Sequence, residues 1–304
     1  MVNAIQIDSI TKIFKTRSGG KKVLDNLSFA VREGRIVGFI GPNGAGKTTT
    51  IKIILDLVKL TSGNVSIFGS DHSDGNIRER MGYMPEKDVF YDDMYPFEFL
   101  VYFGTLSGMS KEAARQSATN LIKVLGLESA QDTKVKDFSS GMKKKISFAQ
   151  SIIHNPKILI LDEPTANLDP LAQERLLAII KELQRRGTTI LVSSHNIEEL
   201  EKIIDDVVVI NKGKLILGTS LENLKEASNP GIEVNVNDAP NAMKVLSNYK
   251  INPVDRNTFV VDAPPTEKNN IIKALMSSNI QINSIASKKH NLWDIVLEIL
   301  KQNG

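Results

Sequence analysis

The stretch that most constrains this chain is Gly41–Thr48, which reads Gly-Pro-Asn-Gly-Ala-Gly-Lys-Thr and directly follows the apolar run Ile36–Ile40. A strand, a glycine-rich loop and a helix in this order are typical of sites that hold nucleoside phosphates. Gly41, Gly44 and Gly46 let backbone N–H groups approach phosphate oxygens that side chains would obstruct. The stretch therefore predicts a phosphate site after a buried parallel strand, and the alternative is a glycine turn before an ordinary helix.

The end of this loop adds a charge and a hydroxyl suited to the same ligand. Lys47 offers a positive charge to the outer phosphates, and Thr48 offers a hydroxyl to Mg²⁺. The helix predicted from Lys47 to about Leu57 directs the positive end of its dipole at the anion. The predicted nucleotide contacts of this loop are Gly41, Pro42, Asn43, Gly44, Ala45, Gly46, Lys47, Thr48 and Thr49.

Length and composition limit the class of protein. A chain of 304 residues, 41% of them apolar, is long enough for about two domains with buried cores. The 38 Lys and Arg nearly balance the 35 Asp and Glu, so the net charge of +3 gives no argument for nucleic-acid binding. The absence of cysteine excludes disulfides and thiolate metal sites and suits a reducing compartment. No apolar run approaches the ~18 residues that a membrane span needs, so we expect any such span to belong to another chain.

A pair of carboxylates follows a second buried strand. Lys157–Leu161 is apolar after its first residue and ends in Asp162 and Glu163, at the edge where open α/β sheets hold their ligands. Asp162 is suited to hold Mg²⁺, and Glu163 to orient or deprotonate an attacking water. The alternative, a polar loop after a strand, is disfavoured by the phosphate loop upstream.

Two more polar residues have a structural and a functional interpretation. His195 follows a buried strand at 188–192 and therefore lies at the same edge as Asp162, or it simply precedes a capped helix. Asp169 precedes a proline and a helix, so its position predicts an N-cap.

Other segments predict the lobes around this core. Residues 4–14 and 22–31 have the spacing of two strands joined by a glycine turn, and 96–126 have helical spacing. Phe14 either packs in the core or lies against an adenine ring, and spacing alone favours the core. Lys143–Lys145 open a helix whose dipole disfavours them, so they either bind an anion or form a solvated cluster.

Loop-forming residues at 227–231 predict a boundary between domains. A small α+β unit is expected after it, in which Trp293 packs in a core or an interface. Its predicted elements are strand 232–236, helix 240–248, strand 251–254, strand 257–262, helix 266–277, strand 280–286 and helix 291–302.

Taken in order, these motifs resemble the nucleotide-binding subunit of an ATP-binding cassette (ABC) transporter over residues 4–225. Gly41–Thr48 is similar to the Walker A loop, and Ile158–Glu163 to the Walker B strand with its catalytic glutamate. The remaining family motifs have counterparts in the family's order: the signature at Phe138–Met142, the D-loop at Ala166–Asp169 and the switch histidine at His195.

The resemblance implies the fold and the chemistry. The expected fold is an α/β P-loop NTPase cassette over 1–226, with a mixed sheet core, an antiparallel β subdomain and a helical lobe at about 96–155. An accessory α+β domain at 227–304 would follow it. The implied activity is Mg²⁺-dependent ATP hydrolysis, with Glu163, His195 and Lys47 as catalytic residues. It also implies that Phe14 stacks on adenine, which reverses the preference for core packing.

The sequence departs from the family pattern at two motifs. Ser140 and Met142 replace a glycine and a glutamine of the signature, whereas Ser139 and Gly141, which face the γ-phosphate in the family, are present. Asp169 belongs to the same implied set of nucleotide contacts. Glu86 stands where the family's Q-loop has glutamine, so it either coordinates Mg²⁺ or alters coupling.

The resemblance also implies partners. In the family, two subunits pair head to tail, and each ATP lies between the Walker A loop of one and the signature of the other. We therefore expect a homodimer or a heterodimer with a second ABC subunit, at the cytoplasmic face of the cell membrane, bound to transmembrane permease subunits and not to nucleic acid. The candidate permease contacts are Phe90, Tyr91, Met94 and Tyr95, with ordinary packing in the helical lobe as the alternative.

The carboxy-terminal unit resembles the accessory domain of daunorubicin-resistance-type drug and antibiotic exporters. This resemblance rests on the order of its elements and on Asn291–Leu297, and it favours export over import. A different hypothesis is a soluble ABC ATPase that acts on the ribosome or on DNA. Such proteins usually carry two cassettes or a long coiled-coil insertion, and the sequence contains neither.

Overall fold

The computed structural model describes residues 2–16, 19–87, 90, 93–195, 197–227, 231–287 and 295–296. Two compact units form, one within Met1–Leu221 and one within Glu222–Gln302, and each has its own apolar core. The predicted bounds, 1–226 and 227–304, stay a prediction. In the described part of the chain, no helix is long and apolar enough to cross a bilayer.

The elements are numbered along the chain. The strands are β1 (Asn3–Thr16), β2 (Gly19–Arg32), β3 (Ile36–Ile40), β4 (Ser62–Ile67), β5 (Ser70–Asp71), β6 (Met81–Met84), β7 (Ile158–Asp162), β8 (Thr189–Ser194), β9 (Asp206–Asn211), β10 (Lys214–Ser220), β11 (Ile232–Val236), β12 (Lys250–Pro253), β13 (Thr258–Asp262) and β14 (Ile282–Ser287). The helices are α1 (Lys47–Ile54), α2 (Gly75–Arg78), α3 (Pro96–Leu106), α4 (Lys111–Val124), α5 (Ser140–Ile152), α6 (Pro170–Arg185), α7 (Ile197–Leu200), α8 (Leu221–Ala227), α9 (Ala239–Val245) and α10 (Lys268–Ser277).

The central sheet of the first unit positions the candidate site. Its strand order is β10-β9-β3-β8-β7-β6, and all neighbouring strands are parallel except β10 and β9. Every residue of β3 and β7 is buried, as their unbroken apolar runs predicted. Because β3, β8 and β7 are parallel neighbours, the segments that follow them meet at one carboxyl edge.

Two further layers complete this unit. Strands β1, β2, β4 and β5 form a separate antiparallel sheet in the order β2-β1-β4-β5, and α3, α4 and α5 pack together as a helical lobe. The predicted α/β cassette with a mixed sheet, an antiparallel subdomain and a helical lobe is confirmed.

One helix boundary differs from its prediction. Helix α1 ends at Ile54 instead of continuing to about Leu57. Asp56 has a left-handed backbone conformation, with φ at 53°. A right-handed α-helix cannot continue through such a residue. Its carboxylate is held there by Lys59 at 2.7 Å and by Arg78 at 2.6 Å.

The second unit is a four-stranded antiparallel sheet with the order β12-β13-β11-β14. Its β-α-β-β-α-β sequence and this strand order are those of ferredoxin-like domains. Ile232, Val234 and Val236 alternate along β11 into the core beneath α9 and α10. The predicted α+β composition is confirmed, but Trp293 and most of the predicted final helix lie outside the described residues.

Candidate active site

A cleft of about 750 Å³ opens over the carboxyl ends of β3, β7 and β8. Most of its lining comes from the phosphate loop and from the segments that follow β6, β7 and β8. The lining residues are Lys21, Lys22, Val23, Pro42, Asn43, Gly44, Gly46, Lys47, Thr48, Thr49, Glu86, Lys87, Asp162, Glu163, Ala166, Asn167, His195 and Lys212.

The path of the phosphate loop requires glycine at two places. Gly46 has φ +111°, a conformation that L side chains rarely adopt, and a Cβ there would lie 2.6 Å from Leu24 Cδ2. At Gly41, a Cβ would lie 2.5 Å from the carbonyl oxygen of Ile210. These contacts keep the loop backbone pressed against the core while its other side faces the cleft.

Lys47 is a buried cation at the base of the cleft, with 7% of the residue exposed. Its ammonium donates a hydrogen bond to the Gly41 carbonyl at 2.6 Å and lies 3.6 Å from Glu163 Oε1. A buried ammonium is costly unless it is paired. Its contacts with Gly41 and Glu163 therefore hold the lysine at the loop. An anionic ligand bound in the cleft can replace these partners of the ammonium.

Asp162 and Thr48 form a hard-oxygen pair of the kind that Mg²⁺ prefers. The Thr48 hydroxyl donates to Asp162 Oδ2 at 2.9 Å, and Asp162 is 1% exposed. In the described part of the chain, no group of three or more His, Cys, Asp or Glu side chains converges on one point. Such a sparse donor set fits Mg²⁺, which proteins usually bind through one or two carboxylates together with substrate phosphates and water.

Glu163 lies next to Asp162 and has both carboxylate oxygens engaged. Oε1 faces Lys47, and Oε2 lies 3.0 Å from His195 Nδ1. Because an ionised carboxylate only accepts hydrogen bonds, the ring proton of this contact belongs on Nδ1. His195 is more than half exposed, so the rest of its ring is open to the cleft.

Two of the carboxylates act on a neighbouring tyrosine. Burial, together with the nearby charges of Asp162 and Glu86, raises the pKa of Tyr83 to about 12. Glu86 lines the same cleft. Its backbone carbonyl accepts a hydrogen bond at 2.8 Å from Lys144, which is 3% exposed. Lys144 is therefore not part of a solvated cluster, one of the two alternatives for the lysine run.

The predicted signature and D-loop residues lie elsewhere. Ser139 is exposed and caps α5 by accepting a hydrogen bond from Met142 N at 3.3 Å. Asp169 is exposed and caps α6 by accepting from Ala172 N at 2.9 Å, as its position predicted. Ser139, Gly141 and Asp169 are not among the described residues that line the cleft.

The residues predicted to contact adenine or a permease lie in different environments. Phe14 is 37% exposed, with the Lys12 ammonium 4.7 Å from its ring centre, so the expectation of core packing is wrong. Phe90 packs against the buried ring of Phe99 at a centroid distance of 5.7 Å, which favours lobe packing for this residue. Tyr95 is 38% exposed, Met94 is half-buried, and Tyr91 lies outside the described residues.

Sequence reasoning missed several residues of the cleft and its supports. Lys21, Lys22 and Lys212 line the cleft from two hairpins, and nothing in their local sequence pointed there. Ser193 lies beside Asp162 in the register of β7 and β8, at the end of a buried strand that is otherwise mostly apolar. That position, at the carboxyl edge, was the available signal.

Comparison with known proteins gives matches over the whole chain. The family model described as ABC transporter matches residues 24–166. The uncharacterized ABC transporter ATP-binding protein YcbN of Bacillus subtilis is 32% identical over 313 residues, which cover 100% of this chain and 99% of YcbN. The bacitracin transport ATP-binding protein BcrA of Bacillus licheniformis is 34% identical over 252 residues, with 82% of this chain and 80% of BcrA covered.

A solved structure shares the fold. The dimeric structure of the ATP-binding cassette MJ0796 in a post-hydrolysis state, bound to ADP and Pi, superposes with a TM-score of 0.67 at 25% identity. The match covers 71% of this chain and 98% of that one.

Proposed function

Because this chain belongs to the family of ABC transporter ATP-binding proteins, we propose that it binds ATP in this cleft, dimerises on ATP and powers a membrane exporter. The chain is an ATPase of this family. The observation that carries the proposal is the convergence of Lys47, Asp162, Glu163 and His195 on one cleft beside the phosphate loop.

Each of these side chains has a role that its contacts support. Glu163 accepts the proton of the water that attacks the γ-phosphorus, and ADP leaves. Lys47 exchanges its contact with Glu163 for the outer phosphates, which frees one carboxylate oxygen for that water. His195 orients Glu163 through Nδ1–H, and in its imidazolium form it also donates Nε2–H to a phosphate oxygen.

Thr48 and Asp162 would hold Mg²⁺, and Glu86, which lines the same cleft, would contribute a further carboxylate. When bound, the ion supplies neutralisation of the phosphate charge. The loop Gly41–Thr49 would provide the cradle for the phosphates, and all of its residues except Gly41 and Ala45 line the cleft.

We assign Ser139, Gly141 and Asp169 to the nucleotide bound by a partner subunit. All three lie outside the cleft of their own chain, and Ser139 and Asp169 are exposed. The dimeric state of MJ0796 with ADP and Pi supports a shared site in this chain, which pairs with itself or with a second ABC subunit.

The transport role rests on the relatives. BcrA is named as a bacitracin transport protein, and the described part of the carboxy-terminal unit, up to β14, has the element order on which the exporter resemblance rests. We infer a subunit that docks on separate transmembrane permeases at the cytoplasmic face of the membrane and exports its substrate.

The test of this function is Glu163→Gln in the full chain. The amide keeps the shape of the side chain but accepts no proton, so steady-state ATP hydrolysis should fall by about 100-fold or more while ATP binding persists. ATP-bound dimers should accumulate, as measured by light scattering on a sizing column. The matched control is Glu182→Gln, at a surface ion pair, which should hydrolyse ATP normally. Unchanged turnover in Glu163→Gln would overturn the catalytic assignment.

A further inference from the structure

The candidate is Ser193, a polar residue near the end of β8. Every residue of β8 is buried, and Ile190, Leu191 and Val192 before it are 0% exposed, as is Ser193 itself. A hydroxyl in such surroundings is costly unless it is hydrogen-bonded. Ser193 is bonded to both members of the carboxylate pair.

The Ser193 hydroxyl makes two bonds whose direction the chemistry fixes. It accepts from the backbone N–H of Glu163 at 3.1 Å, because an N–H group can only donate. Its own proton is therefore free to go to Asp162 Oδ1, at 2.5 Å. One hydroxyl thus holds the side chain of one residue and the backbone of the next.

The bond from Ser193 is one of two side-chain hydrogen bonds that hold the Asp162 carboxylate. Its Oδ2 accepts from Thr48 on the phosphate loop, and its Oδ1 accepts from Ser193 on β8. The carboxylate plane is therefore fixed from two elements, and the oxygen that faces Thr48 keeps its direction. Charge-assisted hydrogen bonds of this kind are the stronger ones in proteins.

The bond to Glu163 acts on a strained backbone. Glu163 has φ +50°, in the left-handed region that residues with a Cβ disfavour. The Ser193 bond to its N–H, together with the bond from Ala166 N to its carbonyl at 3.3 Å, holds this conformation. That conformation directs the Glu163 carboxylate to Lys47 and His195.

We propose that Ser193 is a positioning residue for the reaction, which fixes Asp162 for the metal and Glu163 for the attacking water. The inference rests on the proposed function. It predicts that loss of the hydroxyl weakens metal binding at the nucleotide site while the phosphate loop still binds nucleotide without metal.

The experiment compares Ser193→Ala, Ser193→Thr and Ser193→Val in the full chain. Thr and Val have the same shape and both suit a strand, so they differ in the hydroxyl alone. Mn²⁺ affinity is measured by electron paramagnetic resonance in the presence of the non-hydrolysable analogue AMP-PNP. Binding of fluorescent TNP-ATP in EDTA reports the phosphate loop without metal.

Ser193→Ala and Ser193→Val should lower Mn²⁺ affinity by about 10- to 100-fold, the usual effect of losing a partner that orients a metal ligand. Ser193→Thr should restore most of that affinity, and TNP-ATP binding in EDTA should stay close to that of the unchanged protein in all three. The control is Ser151→Ala, which removes another buried hydroxyl, bonded to the Phe148 carbonyl at 2.7 Å on α5. It should leave Mn²⁺ affinity unchanged.

Unchanged Mn²⁺ affinity in Ser193→Ala would overturn the proposal. So would an equal loss of metal-free nucleotide binding, which indicates general disruption, or a Thr variant no better than the Val variant. If Ser193→Ala does not fold, the Thr and Val pair decides. The metal readout needs no turnover, so it remains valid even if Glu163→Gln shows that the proposed catalytic role is wrong.

Discussion

The two ends of the proposed nucleotide site differ in where their contacts lie. At the phosphate-loop end, the contacts join distant parts of the chain: Thr48 bonds Asp162, and Lys47 faces Glu163. At the signature end, Ser139 and Asp169 instead make local caps that span three residues, to Met142 and to Ala172.

This difference shows what one chain can build alone. The phosphate-loop end is assembled by the sheet, which brings the ends of β3, β7 and β8 to one edge. The signature end has its local structure fixed by caps, while Ser139 and Asp169 remain exposed. One chain therefore assembles the phosphate-loop end of the site by itself and leaves its signature end exposed. This arrangement is suited to a site shared between two copies.

The largest expected effect comes from mixing two inactive variants. Lys47→Ala disables the phosphate-loop end, and Gly141→Asp places a carboxylate at the signature end. Each variant alone should lose about 100-fold or more in ATP hydrolysis, because each removes or opposes charge stabilisation of the phosphates. Gly141→Asp should still fold, since a Cβ there meets only an ordinary 3.7 Å contact with Leu168 and an acidic residue suits the first turn of α5.

Equal mixing should restore about a quarter of the unmodified rate, because half of randomly paired dimers are mixed and each has one intact site. The control pairs Lys47→Ala with the double variant Lys47→Ala, Gly141→Asp, a combination that contains no intact site. If the first mixture hydrolyses ATP no faster than this control, the two ends do not belong to one shared site.

The phosphate-loop end was the part that the sequence predicted most fully. Unbroken apolar runs identified β3 and β7, and the glycines between β3 and α1 identified the loop. Asp162 and Glu163 followed from their place at the end of a parallel strand. These features are visible because the residues that make the site are next to the strands that position them.

Contacts between distant segments could not be predicted in this way. Lys144 reads as one member of a lysine run, yet it is buried against the carbonyl of Glu86, 58 residues away. Ser193 reads as a polar residue at a strand end, and its two bonds depend on the register between β7 and β8. Phe14 has the spacing of a core residue but lies on the exposed side of β1.

A smaller effect should come from Phe14→Ala, which tests how far the phosphate-loop end extends along β1. If the ring stacks on adenine, its loss should weaken ATP binding by about tenfold, within the range of ~1–3 kcal/mol measured for base stacking. Binding of inorganic tripolyphosphate, which has no base, should be unchanged. Both affinities are measured by titration calorimetry.

The control for this prediction is Ile13→Ala, next to Phe14 and similarly exposed at 38%. It removes apolar surface without removing the aromatic ring, and ATP affinity should stay the same. Equal ATP affinity in Phe14→Ala and the unchanged protein would place the base away from β1 and shorten the phosphate-loop end to the loop itself.

The smallest effect is expected from Glu86→Gln, which restores the family's usual residue between the two ends. Glu86 lines the cleft, and its charge also acts on Tyr83. Because Glu86 is exposed, its pull on a divalent cation is worth about 1 kcal/mol, so the Mg²⁺ concentration for half-maximal hydrolysis should rise about two- to fivefold. The neighbouring Lys87→Gln removes a positive charge from the same cleft and should shift the Mg²⁺ requirement the opposite way. If both substitutions shift it in the same direction, or neither does, the charge of Glu86 does not set the metal requirement, and Glu86 is not a metal ligand of this site.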